Sequence, residues 1–539
     1  MFDGRELFEG RALFQPREPG PGGLAPDPPP RYRTSGFQRA RIAPGDTQPM
    51  RVLRPILRNL IWHPTRTAVI DDQRTWSCFH LYAGALHLSR LIERTTDRER
   101  IGIILPTSGL FPMSMVATWM LGRTIVPLNY LLKNEDLEYV IGDAELDCII
   151  TVTPMLDFVN GVPDNVTCVK LDEHRDDFRG IPLPRRARSR PDDFVATLLY
   201  TSGTSGRPKG VMLTSGNLAS NVQQIRAYID FTAAERFLGV LPQFHSFGLN
   251  VLTVLPLSVG ARVIYTARFM PKRILQLLKD HRPSVMIAIP SMYNALLNTK
   301  SADADHFTSL KYIVSGGEPL PEAVFDGFRE KFSVTINEGY GLTETSPVTH
   351  WCRPDEHRRH SVGRALPQVE QKVIAPDNGA SLPANEDGEI CLRGPNIMKG
   401  YYQLAEETAN VLDEDGFFHT GDMGRIDDDG FLYITGRIKE MLIIGGENVF
   451  PREIEEVLNR HPSVRDSAVI GMQDESRGEV PLAFVELLDE ATFDETALRS
   501  HCREGLAQYK VPREIRHVEA LPRNATGKIL RRELRAQHP

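Results

Sequence analysis

Between Met50 and about Gly436, short apolar runs alternate with stretches whose apolar residues recur at helical spacing. RIGIILP (100–106), LDCIITV (146–152), FVATLLYT (194–201), ARVIYT (261–266), SVMIAIP (284–290) and LKYIVSGG (310–317) are each followed by polar or amphipathic sequence. Apolar runs of that length read as largely buried strands, and their alternation with helical patterns predicts an α/β fold. From about Ile438 the texture changes. MLIIGG (441–446) reads as a short strand and PREIEEVLNRH (451–461) as an amphipathic helix, with Pro451 in its first turn and Ile454, Val457 and Leu458 on one face. AFVEL (483–487) reads as a further strand and KILRRELR (528–535) as a terminal helix. Between the two regions, GRIDDDGFLYITGRIKE (424–440) predicts a hairpin with Asp429-Gly430 at its turn, running into a charged connector.

The predicted organisation is therefore a large, multi-subdomain α/β domain over 49–436, a connector at 437–439, and a small α+β domain over 440–539. A cleft is expected at their interface. The start is different. Residues 15–30 hold seven prolines and three glycines among sixteen positions. Such a stretch builds neither helix nor ladder, so 1–48 is expected to be disordered or extended.

At 539 residues the chain exceeds a single core of roughly 250–300 residues. With 41% hydrophobic and 25% charged residues it has the composition of an ordinary globular protein. A net charge of −7 gives no electrostatic case for nucleic acid. The six cysteines lie far apart with no CxxC pair, which excludes a zinc ribbon and points to free thiols in a reducing compartment. No apolar run reaches the roughly 18–20 residues that span a bilayer, and MFDGRELFEGRALF lacks the apolar core of a signal peptide. The expected location is the cytoplasm, with peripheral membrane contact open if the substrate is apolar.

The densest chemical signal is LLYTSGTSGRPKGV (198–211), a loop of hydroxyls and glycines after a buried strand. It is not a Walker A loop, because Lys209 follows Pro208 and precedes Gly210. Two readings stand on the residues alone. One is a solvated loop. The other is a phosphate cradle, in which glycines let backbone N–H groups approach an anion, Thr201, Ser202, Thr204 and Ser205 add donors, and Lys209 adds a charge.

Four further stretches change the balance: GYGLTETSP (339–347), TGD (420–422), GRIKEMLIIGGENVFPREIE (436–455) and LPRNATGKILRREL (521–534). Together with TSGTSGRPKG, and in this order, they resemble the motifs of the adenylate-forming superfamily, which includes acyl-CoA synthetases, luciferases of the firefly type and the adenylation domains of peptide synthetases. The resemblance runs from about residue 50 to the end of the chain.

The resemblance implies a mobile small domain and the following roles. Thr201, Ser202, Gly203, Thr204, Ser205, Gly206 and Lys209 would hold the phosphates of ATP that leave as pyrophosphate. Glu344 would bind Mg²⁺ and Thr343 the α-phosphate. Tyr340 would stack on adenine, with Gly317, Glu318 and Pro319 lining the base pocket. Asp422 would take the ribose hydroxyls, assisted by Arg437. Lys528 would stabilise the charge between carboxylate and α-phosphate. Lys439 would be the hinge about which the small domain rotates for thiol attack, bringing Gly445 and Gly446 beside the thiol arm of CoA.

LPQFHSFGLN (241–250) resembles the acyl-CoA synthetase version of a pocket motif, which would place His245 near the acyl entrance or the carboxylate. Amino-acid-activating domains carry an aspartate after an aromatic there; Phe244-His245 and Phe247-Gly248 offer none. The expected activity is ATP-dependent activation of a medium- to long-chain fatty acid, then transfer to CoA. An acyl carrier protein as acceptor and an aryl acid as substrate are the alternatives within the superfamily. A non-catalytic nucleotide- or acyl-binding regulator is disfavoured because Lys528, Glu344 and Asp422 are all present. A metal-site hydrolase built on His357 and His360 is weaker than a solvated loop at RPDEHRRHS (353–361).

Overall fold

The computed structural model describes residues 48–202, 207–445, 447–474, 478–488, 491–523 and 529–537, with the side chains of Arg175 and Ser202 also outside the description. The expectation for the proline-rich start thus falls outside the described residues.

The apolar runs quoted above form strands. Cys148–Thr151 and Val285–Ala288 are buried at every position. Among the described residues they belong to two large sheets. In the nine-stranded sheet, six parallel strands follow in spatial order: Asn337–Gly341, Tyr312–Ser315, Val285–Ala288, Arg236–Gly239, Arg262–Tyr265 and Thr67–Ile70, with antiparallel strands at both margins. The seven-stranded sheet is parallel from Val195–Ser202 through Thr124–Pro127, Arg100–Ile103 and Cys148–Thr151 to Thr167–Lys170. On the other side Val195–Ser202 pairs antiparallel with Pro208–Thr214, Thr201 opposite Lys209, and the short strand Gly400–Tyr401 forms the margin.

One strand decides where a site can form. After Arg236–Gly239 the chain returns to one side as Arg262–Tyr265 and then crosses to the other as Val285–Ala288. The winding reverses there, which opens a crevice beyond the carboxyl ends of the strands. The segment leaving that strand is LPQFHSFG (241–248).

A four-stranded antiparallel sheet follows, including Gly388–Arg393, Phe418–Ile426 and Leu432–Arg437. The expected hairpin is its last pair, with Gly430 in the left-handed region at the turn. Beyond it a separate five-stranded sheet carries Leu442–Ile444 and Gly478–Leu487, with the helix Pro451–Asn459 packed through Ile454, Val457 and Leu458. Its apolar cores run from Leu442 to Leu534 and share no residue with the large domain's, which end at Leu432. The terminal helix is shorter than its sequence pattern, spanning Arg531–Gln537.

The segment after Glu344, which joins the Thr343–Thr345 turn to the strand Val348–Trp351, is held by buried amides. Asn250 donates to Ser346 O at 2.5 Å, Asn221 to Val348 O at 2.6 Å and Asn396 to Thr345 O at 2.9 Å. Gln224 donates to Asn396 Oδ1 at 3.1 Å. All four side chains are at most 2% exposed. A backbone carbonyl stripped of such a partner costs about 1–3 kcal/mol. Asn250→Leu keeps the volume and removes the donor, so the unfolding free energy from urea denaturation should fall by an amount in that range, read as a lower midpoint with the m-value unchanged. An unchanged midpoint would show that these amides do not hold the segment.

Candidate functional site

A cavity of about 640 Å³ opens at the switch point, lined by Leu241, Pro242 and His245 from the segment after Arg236–Gly239, and by Ile289 and Gly317 after the neighbouring strands. A second cavity of about 890 Å³ adjoins it between the large and small domains. Tyr340, Gly317, Glu318 and Arg437 line both.

The strand Asn337–Gly341 forms the wall between them. Its Gly341 admits no side chain, since a Cβ there would lie 1.8 Å from Pro347 O. Tyr340 donates its hydroxyl to Asp422 Oδ2 at 2.6 Å, and Arg437 Nε meets Asp422 Oδ1 at 2.8 Å. Asp422 and Arg437 are cross-strand partners, so sheet register brings that pair together. Asp422 is 3% exposed. A carboxylate so enclosed requires the cation and the hydroxyl donor it has. Burial and the Asp422 charge hold the Tyr340 phenol well above its usual range, so it stays a donor. Asp422 likewise raises the Arg437 guanidinium.

Past Gly341 the chain turns through Thr343–Thr345. Thr343 Oγ1 lies 3.1 Å from Ser246 Oγ, which ties the turn to the switch-point segment. Glu344 Oε1 accepts the Tyr401 hydroxyl at 2.9 Å, and its carbonyl accepts Met398 N–H at 2.8 Å. Burial pushes the Glu344 carboxyl up. A carboxylate whose burial is so poorly compensated is suited to a cation, and one carboxylate shared with phosphate oxygens is the usual setting for Mg²⁺. Lys209 pairs with Glu407 and lies over the Tyr401 ring at 5.4 Å. The strand pair that carries Thr201 and Lys209 thus faces one cavity with Glu344.

Of the residues singled out by sequence, Thr201, Lys209, His245, Gly317, Glu318, Tyr340, Thr343, Glu344, Arg437 and Lys439 line the smaller cavity, and Pro319 and Asp422 line the larger. Gly445 is not brought to either. It sits with φ +61° at an exposed turn and has no neighbour within 4 Å of a built Cβ. Gly203, Thr204, Ser205, Gly206, Gly446 and Lys528 lie outside the described residues, as does the Ser202 side chain. Arg523 and Ile529, on either side of 524–528, line the larger cavity with Glu318, Tyr340 and Asp422. His357 stacks on Phe325 and bonds Asn337, while His360 pairs with Glu322.

Sequence reading missed four contributors. Tyr401 is one of two adjacent tyrosines after a glycine and carries no chemical signature. Glu338 faces the larger cavity, its carboxyl pushed up to about 7 by burial. Glu389 and His419 flank the TGD turn; with Cys391 they bring three donor atoms within 4.8 Å of one another. The histidine immediately before TGD was the available signal.

Small and large domains are joined at named contacts. Arg460 Nε meets Glu322 Oε2 at 2.5 Å, and Arg452 donates to Ile434 O at 2.5 Å. Arg531 bridges Glu455 at 2.7 Å and Glu440 at 3.3 Å, linking the terminal helix to the start of the small domain.

Comparison with known proteins agrees with this geometry. The long-chain-fatty-acid–CoA ligase of Bacillus subtilis (strain 168) is 31% identical over 87% of this chain and 91% of its own length. The 4-coumarate–CoA ligase 1 of Oryza sativa subsp. japonica is 33% identical over 85% of this chain and 87% of its own. The crystal structure of the anthranilate CoA ligase AuaEII with anthranoyl-AMP superposes with a TM-score of 0.84 at 28% identity, covering 90% of this chain and 96% of that one. Residues 60–402 match the AMP-binding enzyme family and residues 453–528 the AMP-binding enzyme C-terminal domain. The chain belongs to the AMP-binding enzymes, within the adenylate-forming superfamily.

Proposed function

We propose that the protein is an acid–CoA ligase that joins an apolar carboxylic acid to AMP, releases pyrophosphate, and then transfers the acyl group to the thiol of CoA. The observation that carries this reading is the convergence of Tyr340, Asp422, Arg437, Thr343 and Glu344 on one pair of joined cavities. Adenylation brings one anion against another, so a site must neutralise charge and align the reacting groups. Asp422 accepts the ribose hydroxyls, with Arg437 paired to it. Tyr340 lies against the base, with Gly317, Glu318 and Pro319 beside it. Glu344 would hold Mg²⁺, which would supply positive charge for the phosphate oxygens. Thr343 donates to the α-phosphate, and Thr201 and Lys209, which line the cavity, belong to the stretch that grips the leaving pyrophosphate. Lys528 supplies charge at the reacting centre. Lys439 is the hinge, and the exposed position of Gly445 fits a turn that reaches the site only after the small domain rotates.

The acid is a medium- to long-chain fatty acid in this reading. Leu241, Pro242, Phe247, Ile289, Val314 and Val348 give the cavity an apolar wall beside His245. The similarity to a long-chain-fatty-acid–CoA ligase supports it. A second reading, an aryl acid, is favoured by the similarity to 4-coumarate–CoA ligases and to the anthranilate ligase. The cytoplasm is the proposed location, and among the described residues no helix is long and apolar enough to cross a membrane.

The direct test is pyrophosphate exchange and thioester formation over fatty and cinnamate-type acids. Exchange and thioester with fatty acids are expected. Thioester with aryl acids alone selects the second reading, exchange without CoA consumption points to a carrier protein, and no exchange with any acid removes the proposal. Lys209→Ala should weaken use of ATP about tenfold, the loss of one charged contact. Lys528→Ala should lower adenylation by about 10²–10³; the opposite ranking would reverse the roles of the two lysines. Because the Glu344 carboxyl is raised, it takes up a proton before ordinary carboxylates do as pH falls, and that proton competes with the cation. The Mg²⁺ concentration for half-maximal activity should therefore rise as pH is lowered from neutral. Glu344→Gln should need more Mg²⁺ at every pH and lose that dependence; a requirement flat with pH in the wild type would remove Glu344 as the metal ligand.

A further inference from the structure

The segment that carries Asp422 is a bulge. In the pairing of Gly388–Arg393 with Phe418–Ile426, Cys391 faces His419 and Glu389 faces Met423, with the register shifting between them. Thr420, Gly421 and Asp422 are therefore opposed by Ile390 alone. Bulges of this kind re-aim side chains beside active sites, but they forfeit ladder hydrogen bonds. Here side chains replace those bonds. Thr420 donates its hydroxyl to Ile390 O at 2.7 Å and accepts Asp422 N–H at 3.0 Å. Gly421, at φ +67°, donates its N–H to Glu389 Oε1 at 3.1 Å.

Glu389 has a second bond. Its Oε2 lies 3.0 Å from His419 Nδ1. The far side of the same ring, Nε2, lies 3.6 Å from Asp413 Oδ2, and Asp413 in turn meets Lys372 Nζ at 3.5 Å. Cys391, 3.6 Å from His419 Nδ1, has its thiol pushed up to about 12 by burial and stays neutral beside the pair. One carboxylate thus grips the residue before the bulge and the backbone within it.

We infer that Glu389 is a positioning residue for nucleotide recognition: held by His419, it fixes the bulge that aims Asp422 at the ribose. This rests on the reading of Asp422 as the ribose carboxylate. Without Glu389, Gly421 loses its acceptor, the bulge can migrate along the ladder, and Asp422 leaves Tyr340 and Arg437. The loss should therefore fall on recognition of the ribose hydroxyls rather than on the phosphates or the acid.

The experiment compares ATP with 2′,3′-dideoxy-ATP in pyrophosphate exchange, for wild type, Asp422→Ala, Glu389→Ala and Glu389→Gln. Wild type should prefer ATP, and Asp422→Ala should collapse that preference. Glu389→Ala should reduce the kcat/KM ratio of ATP to dideoxy-ATP about tenfold, mainly through KM, the worth of one lost hydrogen bond to a charged group. Glu389→Gln keeps an oxygen for Gly421 and should restore the wild-type ratio. If Asp422→Ala collapses the ratio while Glu389→Ala lowers activity on both nucleotides equally, Glu389 is merely structural and the inference is wrong. If Asp422→Ala leaves the ratio intact, the ribose reading fails and this inference fails with it. A Glu389→Gln variant that loses the ratio as fully as Glu389→Ala would also overturn the hydrogen-bond account.

Discussion

The carboxylate of Asp422 is the point on which the site depends. It is almost wholly buried, and a charge in that setting is tolerable only with partners in place. Its partners come from different layers of the molecule. Tyr340 belongs to the nine-stranded sheet, while Asp422 and Arg437 face each other across the four-stranded one. Arg437 also ends the last strand before the connector to the small domain. Satisfying one buried charge therefore fixes the spacing of two sheets and the point from which the small domain departs. The two cavities meet along this line because Tyr340 and Arg437 line both.

Much of this was legible in the chain. Short apolar runs such as SVMIAIP read as strands covered on both faces, and Val285–Ala288 is one. The hairpin turn at Asp429-Gly430 needed only a residue tolerant of positive φ, which Gly430 supplies. What sequence could not show was strand order. The reversal of winding at Arg236–Gly239 is a long-range fact, and it alone explains why LPQFHSFG opens a crevice.

The same limit separates the site residues that were found from those that were missed. Glu344, Asp422 and Tyr340 stand in stretches whose residue types recur across a superfamily. Tyr401 does not; its hydroxyl reaches Glu344 because Gly400–Tyr401 adds as a short margin strand opposite Val211 and Met212. Glu389 is separated from Gly421 by 32 positions, and only the register of two antiparallel strands makes them neighbours. Helical and strand periodicities are local, whereas sheet register is not.

The division between domains follows from the same reasoning. Arg531, Glu455 and Glu440 form a partly buried ion cluster that locks the terminal helix, the helix Pro451–Asn459 and the start of the small domain to one another. The Glu455 and Glu440 carboxylates raise the Arg531 guanidinium and hold it charged against the opposing effect of burial. Contacts from that domain to the large one are of another kind: Arg460 to Glu322 is a half-exposed ion pair, and Arg452 to Ile434 O is one hydrogen bond. Exposed pairs of this sort contribute roughly 0–1 kcal/mol, and the apolar cores do not cross the boundary. The small domain is thus rigid within itself and lightly held outside. Such a contrast suits a body that presents one face for adenylation and another for thiol attack. Tyr340, Asp422 and the bulge beneath it all belong to the large domain, so in the proposed reading rotation of the small domain would leave the nucleotide contacts undisturbed.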